Sequence, residues 1–391
     1  MKRIYLLFLS TVLLLGCPTT HPPAPVEEKV QEVVQAKPEE KPIVDEMEVA
    51  KMEVAKEAAE VNPEDAINAL NRGKELYAQD KFDEAIQEFN NAIAINSELE
   101  DAYFYRGLAY YAKQDYDRAI ADYNQAIQLN PDNPDNTVVY NDRGLAYYAK
   151  QDYDRAIADY NQAIQINSNN AEAFNNRGVA YRSKQDYDRA IADYNQAIQI
   201  NPNYADAYYN RGNAYYAKQD NDRAIADYNQ AIKFNSNNAD VYYNRGAAYG
   251  NKQDFDRAIA DYNQAIQLNP NNADVYVNRG IAYKNKQDYD RAIADYNQAI
   301  QLKPNDAVVY NNRGNAYRNK QDYDRAIADY NQAIKLDPKY ATAFVNRGTA
   351  YEDYKNDLNR AIADYEAALK IKPNDATVKQ YLDAARQKRG K

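Results

Sequence analysis

The 391-residue chain has no tryptophan, one histidine and one cysteine. Each scarcity removes a class of chemistry. His21 sits among prolines (HPPAP) near the amino terminus, so serine–histidine and cysteine–histidine catalysis lack a positioned base. A single thiol cannot form an intramolecular disulfide, and neither a thiolate nor a histidine-rich zinc site can be assembled. Of only 12 glycines, nine fall in the Arg-Gly pairs of the repeats and the others are Gly16, Gly250 and Gly390. No Walker or Rossmann phosphate loop can be built from them, and no cofactor and no metal are expected. The formal net charge of −10 argues against a nucleic-acid partner. The longest apolar run, Ile4 to Leu15, is about a dozen residues, too short to cross a bilayer.

What is present is repetition. Apolar residues make up 45% of the chain, mostly alanine, isoleucine and tyrosine. That usage suits a thin core built many times better than one large core. The stretch RAIADYNQAI occurs seven times, beginning at Arg118, Arg155, Arg189, Arg223, Arg257, Arg291 and Arg325. Arg-Gly pairs recur from Arg72-Gly73 to Arg347-Gly348 every 34 residues, with one gap of 37. A period near 34 with two helical segments per unit marks a helical solenoid.

The unit Ala307–Pro338 shows the plan. Helix A is expected from Ala307 to Lys320 and helix B from Tyr323 to Leu336. Asp322 caps helix B, and Ala326, Ile327, Tyr330, Ala333 and Ile334 form one apolar stripe. Gly314 and Ala326 are small where the two helices must approach. Tyr310, Gly314, Tyr317, Ala326, Tyr330, Ala333 and Pro338 together resemble the tetratricopeptide repeat family, nine times in phase over residues 64–374. The resemblance implies an all-α, right-handed superhelical solenoid. One departure is constant: arginine stands before the glycine, where that family has leucine, and pairing with helix B aspartates would explain it. Residues 375–391 are expected to form a solvating capping helix through Val378, Leu382 and Ala385.

The amino-terminal region reads differently. Lys2-Arg3, the short apolar run and Leu14-Leu15-Gly16-Cys17 resemble a bacterial lipoprotein signal. That implies removal of residues 1–16, a lipid on Cys17 and a place in the cell envelope, with Pro18 favouring the outer membrane. Residues 17–45, rich in proline, glutamate and lysine, read as a solvated spacer. Residues 46–63, with MEVAK in tandem, read as a possible helical stalk.

Aspartates recur in nearly every unit, so they do not single out one acid–base cleft. The polar groups of RAIADYNQAI are expected to face solvent, with Arg325 and Asp329 as a weak i,i+4 pair. Recognition should fall to helix A, which resembles the concave-lining helix of the family. Two residues before the repeat glycine stand Asn71, Asn176, Asn210, Asn244, Asn278, Asn312 and Asn346, with Tyr105 and Asp142 breaking the series. This series resembles the asparagine ladder of the tetratricopeptide part of O-linked N-acetylglucosamine transferase, whose amides hold a peptide backbone. Simple duplication also accounts for it. Four residues after the glycine, Tyr111, Tyr148 and Tyr216 give way to Lys284 and Arg318. That implies aromatic anchoring early and attraction for acidic groups later.

The expected function is a non-enzymatic, lipid-anchored scaffold or adaptor holding a protein or extended peptide. A surface repeat protein that contacts other cells is the alternative, and an envelope hydrolase a weaker one. Residues 131–136 (PDNPDN) supply the three extra residues of the long gap, and a local change of superhelix path is expected there.

Overall fold

The computed structural model describes residues 63–390, and all regular structure in them is helical. Repeat 1 comprises α1 (Pro63–Ala78) and α2 (Phe82–Ile95), repeat 2 α3 (Glu100–Ala112) and α4 (Tyr116–Leu129), and repeat 3 α5 (Asn136–Ala149) and α6 (Tyr153–Ile166). Repeats 4 to 6 follow as α7 (Ala171–Ser183), α8 (Tyr187–Ile200), α9 (Ala205–Ala217), α10 (Asn221–Phe234), α11 (Ala239–Asn251) and α12 (Phe255–Leu268). Repeats 7 to 9 comprise α13 (Ala273–Asn285), α14 (Tyr289–Leu302), α15 (Ala307–Asn319), α16 (Tyr323–Leu336), α17 (Ala341–Lys355) and α18 (Leu358–Ile371). The last helix, α19 (Ala376–Arg389), buries Val378, Leu382 and Ala385 against repeat 9. The expected signal segment, Cys17, the spacer and the stalk lie outside the described residues.

Each helix end is written locally. In repeat 2, Gln114 N–H donates to Tyr111 O and Asp115 N–H to Tyr110 O, which closes α3 in a Schellman motif. Asp115 then caps α4 by accepting from Arg118 N–H at 3.2 Å. One aspartate thus ends one helix and starts the next. The linking residue, Gln114, has φ 62°, and the corresponding glutamines of repeats 3 to 8 do the same. Glycine is the usual choice for this left-handed position.

Glycine is used elsewhere, inside helix A. A Cβ on Gly107 would lie 2.7 Å from Cε1 of Tyr123. A mid-helix glycine costs about 1 kcal/mol of helix stability. The gain is a tyrosine ring enclosed between the two helices, with Tyr123 at 0% exposure. The apolar core divides into small clusters, each within one repeat and its neighbour. Order therefore propagates by nearest-neighbour contact.

Successive A helices touch along the whole array, while successive B helices do not pack on one another. Helix A therefore lines the inner, shorter side. Across the long gap, Asn136 Nδ2 donates to Asn130 O at 2.7 Å and Asn133 Nδ2 to Glu100 Oε1 at 2.6 Å. The expected disturbance of stacking there is not found. Arg143 still reaches Asn124 at 2.5 Å and Lys150 still pairs with Asp117, the bonds found between other repeats. The extra residues are taken up by the loop.

Candidate binding groove

A polar spine runs between the helices. In repeat 2, Arg106 donates from Nε and Nη2 to the two oxygens of Asp122 at 2.8 and 2.7 Å. Its third arm, Nη1, donates to Asn90 Oδ1 of repeat 1 at 2.6 Å. The same three bonds recur at Arg143, Arg177, Arg211, Arg245, Arg279, Arg313 and Arg347. One arginine therefore joins both helices of its repeat to helix B of the repeat before. The aspartates are 5 to 6% exposed. Burial pushes the Asp159 carboxyl up, and the bidentate Arg143 pulls it back. The geometry, with both oxygens accepting, is that of an ionised pair.

This corrects two expectations about RAIADYNQAI. Its aspartate is buried, and its asparagine, though exposed, accepts from the arginine of the next repeat. Asp329 pairs with Arg313 rather than with Arg325, while Arg325 bonds Asp322 and lies over the Tyr317 ring, 4.7 Å from its centroid. The spacing between the Arg-Gly arginine and this aspartate, 16 residues in repeats 2 to 8 and 17 in repeat 9, carried the signal. The expected pairing of this arginine with a helix B aspartate is thus found, and the folded helices show which aspartate takes it.

The inner face carries the asparagine series, and most of its amide groups already bond a neighbouring repeat. Asn176 Nδ2 donates to Asn141 Oδ1 at 3.0 Å, Asn210 to Asn175 at 3.0 Å and Asn346 to Asn311 at 2.8 Å. Asn278 donates to the Tyr243 hydroxyl at 2.9 Å, and Asn244 to the Tyr209 hydroxyl at 3.1 Å and to Asn213 at 2.9 Å. Each amide thus binds the preceding repeat; Asn176, Asn210, Asn278 and Asn346 do so with one of two N–H groups, and Asn244 with both. Asn71 is exposed at the first of the described repeats. Asn312 makes no such bond, because the matching residue of the preceding repeat is Val277, which has no acceptor.

The sequence matches tetratricopeptide repeat profiles over residues 70–134, 239–272, 273–306, 295–328 and 341–375. A further profile described as TPR repeat matches residues 144–182, 178–219, 212–253 and 314–353. The chain belongs to the tetratricopeptide repeat family. Its structure is similar to the C-terminal part of a TPR repeat-containing protein from Cytophaga hutchinsonii (TM-score 0.52, 22% identity, 61% of this chain and 98% of that one). It is also similar to YrrB, described as a TPR protein with an unusual peptide-binding site (TM-score 0.44, 24% identity, 47% and 95% of the two chains). A third similar structure is MamA (TM-score 0.41, 28% identity, 42% and 96%). No curated protein sequence matches the chain.

Within this tetratricopeptide array the varying inner positions differ along the length. Tyr111 and Tyr148 pack on Tyr116 and Tyr153 of their own repeats, with ring centroids 5.4 and 5.3 Å apart. The Tyr148 hydroxyl also bonds Ser183 at 2.9 Å, and burial lifts Tyr111 to about 12. Tyr216 packs with the core of repeats 5 and 6. These rings are therefore part of the wall as well as its surface. Lys284 and Arg318 are half-buried at the same position of repeats 7 and 8, and neither forms an ion pair or hydrogen bond. With Asn312 they give three unengaged donor groups on neighbouring repeats.

Two features of the face escaped sequence reasoning. Asp142 is half-buried, and its carboxyl is pushed up to about 8, first by burial and then by the charge of Glu172. Glu172, on the next repeat, is raised by burial as well. Asp142 keeps some water contact while the groove walls enclose it, so its charged form is poorly solvated, whereas Glu172 is exposed. The second feature is the hydroxyl of the helix B tyrosine. Tyr228 and Tyr330 donate to Asn213 and Asn315 at 2.8 Å each. The residues in place of that asparagine at Tyr123, Tyr194 and Tyr296 are Leu108, Val179 and Ile281, and these three buried hydroxyls have no partner.

Proposed function

We propose that this chain is a non-enzymatic adaptor whose inner face holds an extended segment of a partner protein, with an acidic stretch seated on repeats 7 and 8. The observation that carries this is the group of unengaged donors at Lys284, Asn312 and Arg318. Elsewhere each asparagine amide of repeats 4 to 7 and 9 is held by a bond to the neighbouring repeat. A carboxylate would satisfy two cations and an amide together. The acceptor oxygens of Asn210, Asn244 and Asn278 would receive N–H groups of the same bound backbone. The aromatic wall at Tyr111, Tyr148 and Tyr216 would pack against its apolar side chains.

The leader supports a further part of the proposal. With Leu14-Leu15-Gly16 before Cys17, the protein would be lipid-anchored in a bacterial envelope and act in assembly or regulation of a complex there.

The test is crosslinking in the native envelope with wild type and the Lys284→Glu/Arg318→Glu variant. The expected outcome is loss of partner capture and of its salt dependence in the variant. Equal capture by both proteins would remove the acidic-segment reading. Asn312→Ala is the clean amide variant. Alanine at Asn210, Asn244 or Asn278 would also break contacts between repeats.

A further inference from the structure

One wall position of the groove holds no side chain. Four residues after the repeat glycine stand Tyr111, Tyr148 and Tyr216 in repeats 2, 3 and 5, Lys284 and Arg318 in repeats 7 and 8, and Gly250 in repeat 6. Gly250 lies in the last turn of α11, and the packing does not require it. A Cβ on a repeat glycine would strike the helix B ring, as at Gly246, where it would lie 2.8 Å from Cε1 of Tyr262. A Cβ on Gly250 would meet the Tyr262 hydroxyl instead, at an ordinary 3.8 Å. The left-handed turn after the helix is taken by Gln253, not by Gly250. Glycine lowers helix stability, and here it opens a notch with no gain in packing.

Two groups at this notch lack the partner that other repeats give them. The first is the Tyr262 hydroxyl. Tyr228 and Tyr330 donate to an asparagine, but the residue in that place is Ala247 here. The hydroxyls of Tyr123, Tyr194 and Tyr296 also lack partners, yet they are enclosed, and their repeats carry Tyr111, Arg182 and Lys284 at the wall. Tyr262 is 3% exposed, where its counterparts are 0 or 1% exposed, and its hydroxyl borders the space that Gly250 leaves. It is a buried side chain whose one polar atom is turned to an opening. The second group is Phe255. In repeats 1 to 3 the ring that opens helix B packs on the wall tyrosine: Tyr77 on Phe82, Tyr111 on Tyr116 and Tyr148 on Tyr153, with centroids 5.5, 5.4 and 5.3 Å apart. Phe255 opens α12 at the same place and is half-buried, but its wall residue is Gly250. A ring is missing from the wall, and a phenyl group and a hydrogen-bonding group remain around its place.

We propose that the Gly250 notch receives a tyrosine side chain of the bound segment. Its ring takes the place of the missing wall ring beside Phe255, and its phenol, entering tip first, meets the Tyr262 hydroxyl. The site rests on the groove reading and fixes the register of that segment. Packed helices lie about 9 Å apart, which an extended chain covers in about three residues. The tyrosine at repeat 6 therefore stands about three residues from the acidic residue at Lys284 and about six from the one at Arg318.

The experiment selects binders from a random library of 20-residue peptides with the full chain, its Gly250→Tyr variant and its Tyr262→Phe variant. Gly250→Tyr installs the residue that repeats 2, 3 and 5 carry, and its Cβ has room, so thermal unfolding should be unchanged or raised. Wild type should enrich peptides with tyrosine about three residues from an acidic residue. Gly250→Tyr should keep the acidic enrichment, lose the tyrosine, and bind a selected peptide about tenfold more weakly. Tyr262→Phe should still take an aromatic residue, with the preference for tyrosine over phenylalanine reduced about threefold. Selected peptides without an aromatic residue at that spacing, or the same peptides from Gly250→Tyr, would overturn the notch and leave the groove standing. Failure of wild type to select any peptide would remove both.

Discussion

Two rows of polar groups run through the array, and they treat charge in opposite ways. In the spine, each aspartate is matched by one arginine, and the pattern is the same in eight repeats. On the inner face, several charges have no partner in the protein: Asp142 on repeat 3, and Arg182, Lys284 and Arg318 on repeats 4, 7 and 8. Charges compensated within the protein hold repeats together. Charges left uncompensated are available to a ligand. Sameness along the chain thus marks scaffold, and difference marks recognition, because a specific segment must find unlike contacts at its two ends.

The largest effect should come from breaking the spine. Asp227→Ala leaves Arg211 enclosed with only Asn195 as partner and should cost about 3–5 kcal/mol. Hydrogen exchange should show the loss in repeats 4 to 6, since contacts are between neighbours. The neighbouring Asp222→Ala removes an ion pair with Lys252 whose carboxylate side chain is 80% exposed, and should change stability by less than about 0.5 kcal/mol. Similar losses for the two variants would erase the distinction between spine and surface.

A smaller effect is expected at the tyrosine hydroxyls. Asn315→Ala makes the Tyr330 hydroxyl as unpartnered as that of Tyr296 and should cost about 1–2 kcal/mol. No change in thermal unfolding would mean that these hydroxyls find water.

The smallest effect probes the inner face without a ligand. Asp142 has a folded-state value of about 8, well above that of an unfolded aspartate. The folded chain therefore holds this proton more tightly. Its favourable contribution is complete below about pH 4 and is lost as pH rises through 8. Asp142→Asn should thus stabilise the array near pH 8, by roughly 1 kcal/mol given its partial solvent contact, and much less at pH 5. Equal effects at both pH values would show that the groove solvates this charge well.

Much of the fold was legible because its determinants are local or periodic. Helix B runs from Tyr323 to Leu336 as expected, and Asp322 caps it. Helix A starts at Ala307 and ends at Asn319, one residue before the expected Lys320. Asn272 caps α13 in the same way. The site was less legible. The asparagine series was found by position, but position cannot tell whether an amide faces a ligand or the next repeat. Five of its members bond neighbours, and only the accident of Val277 leaves Asn312 open.

By itself the sequence determined the solenoid: a 34-residue period, caps at each turn, a glycine where a tyrosine ring must lie, and an arginine kept in register with an aspartate. These are contacts within one unit or with its neighbour, so a linear pattern can encode them. Tertiary structure decided what the polar groups do. Only folding brings Asn90 of one repeat to Arg106 of the next, or half-buries Asp142 with no cation paired to it. Whether a charge is paired or waiting depends on its neighbours in space, and solvation in an enclosed groove depends on walls that several repeats build together.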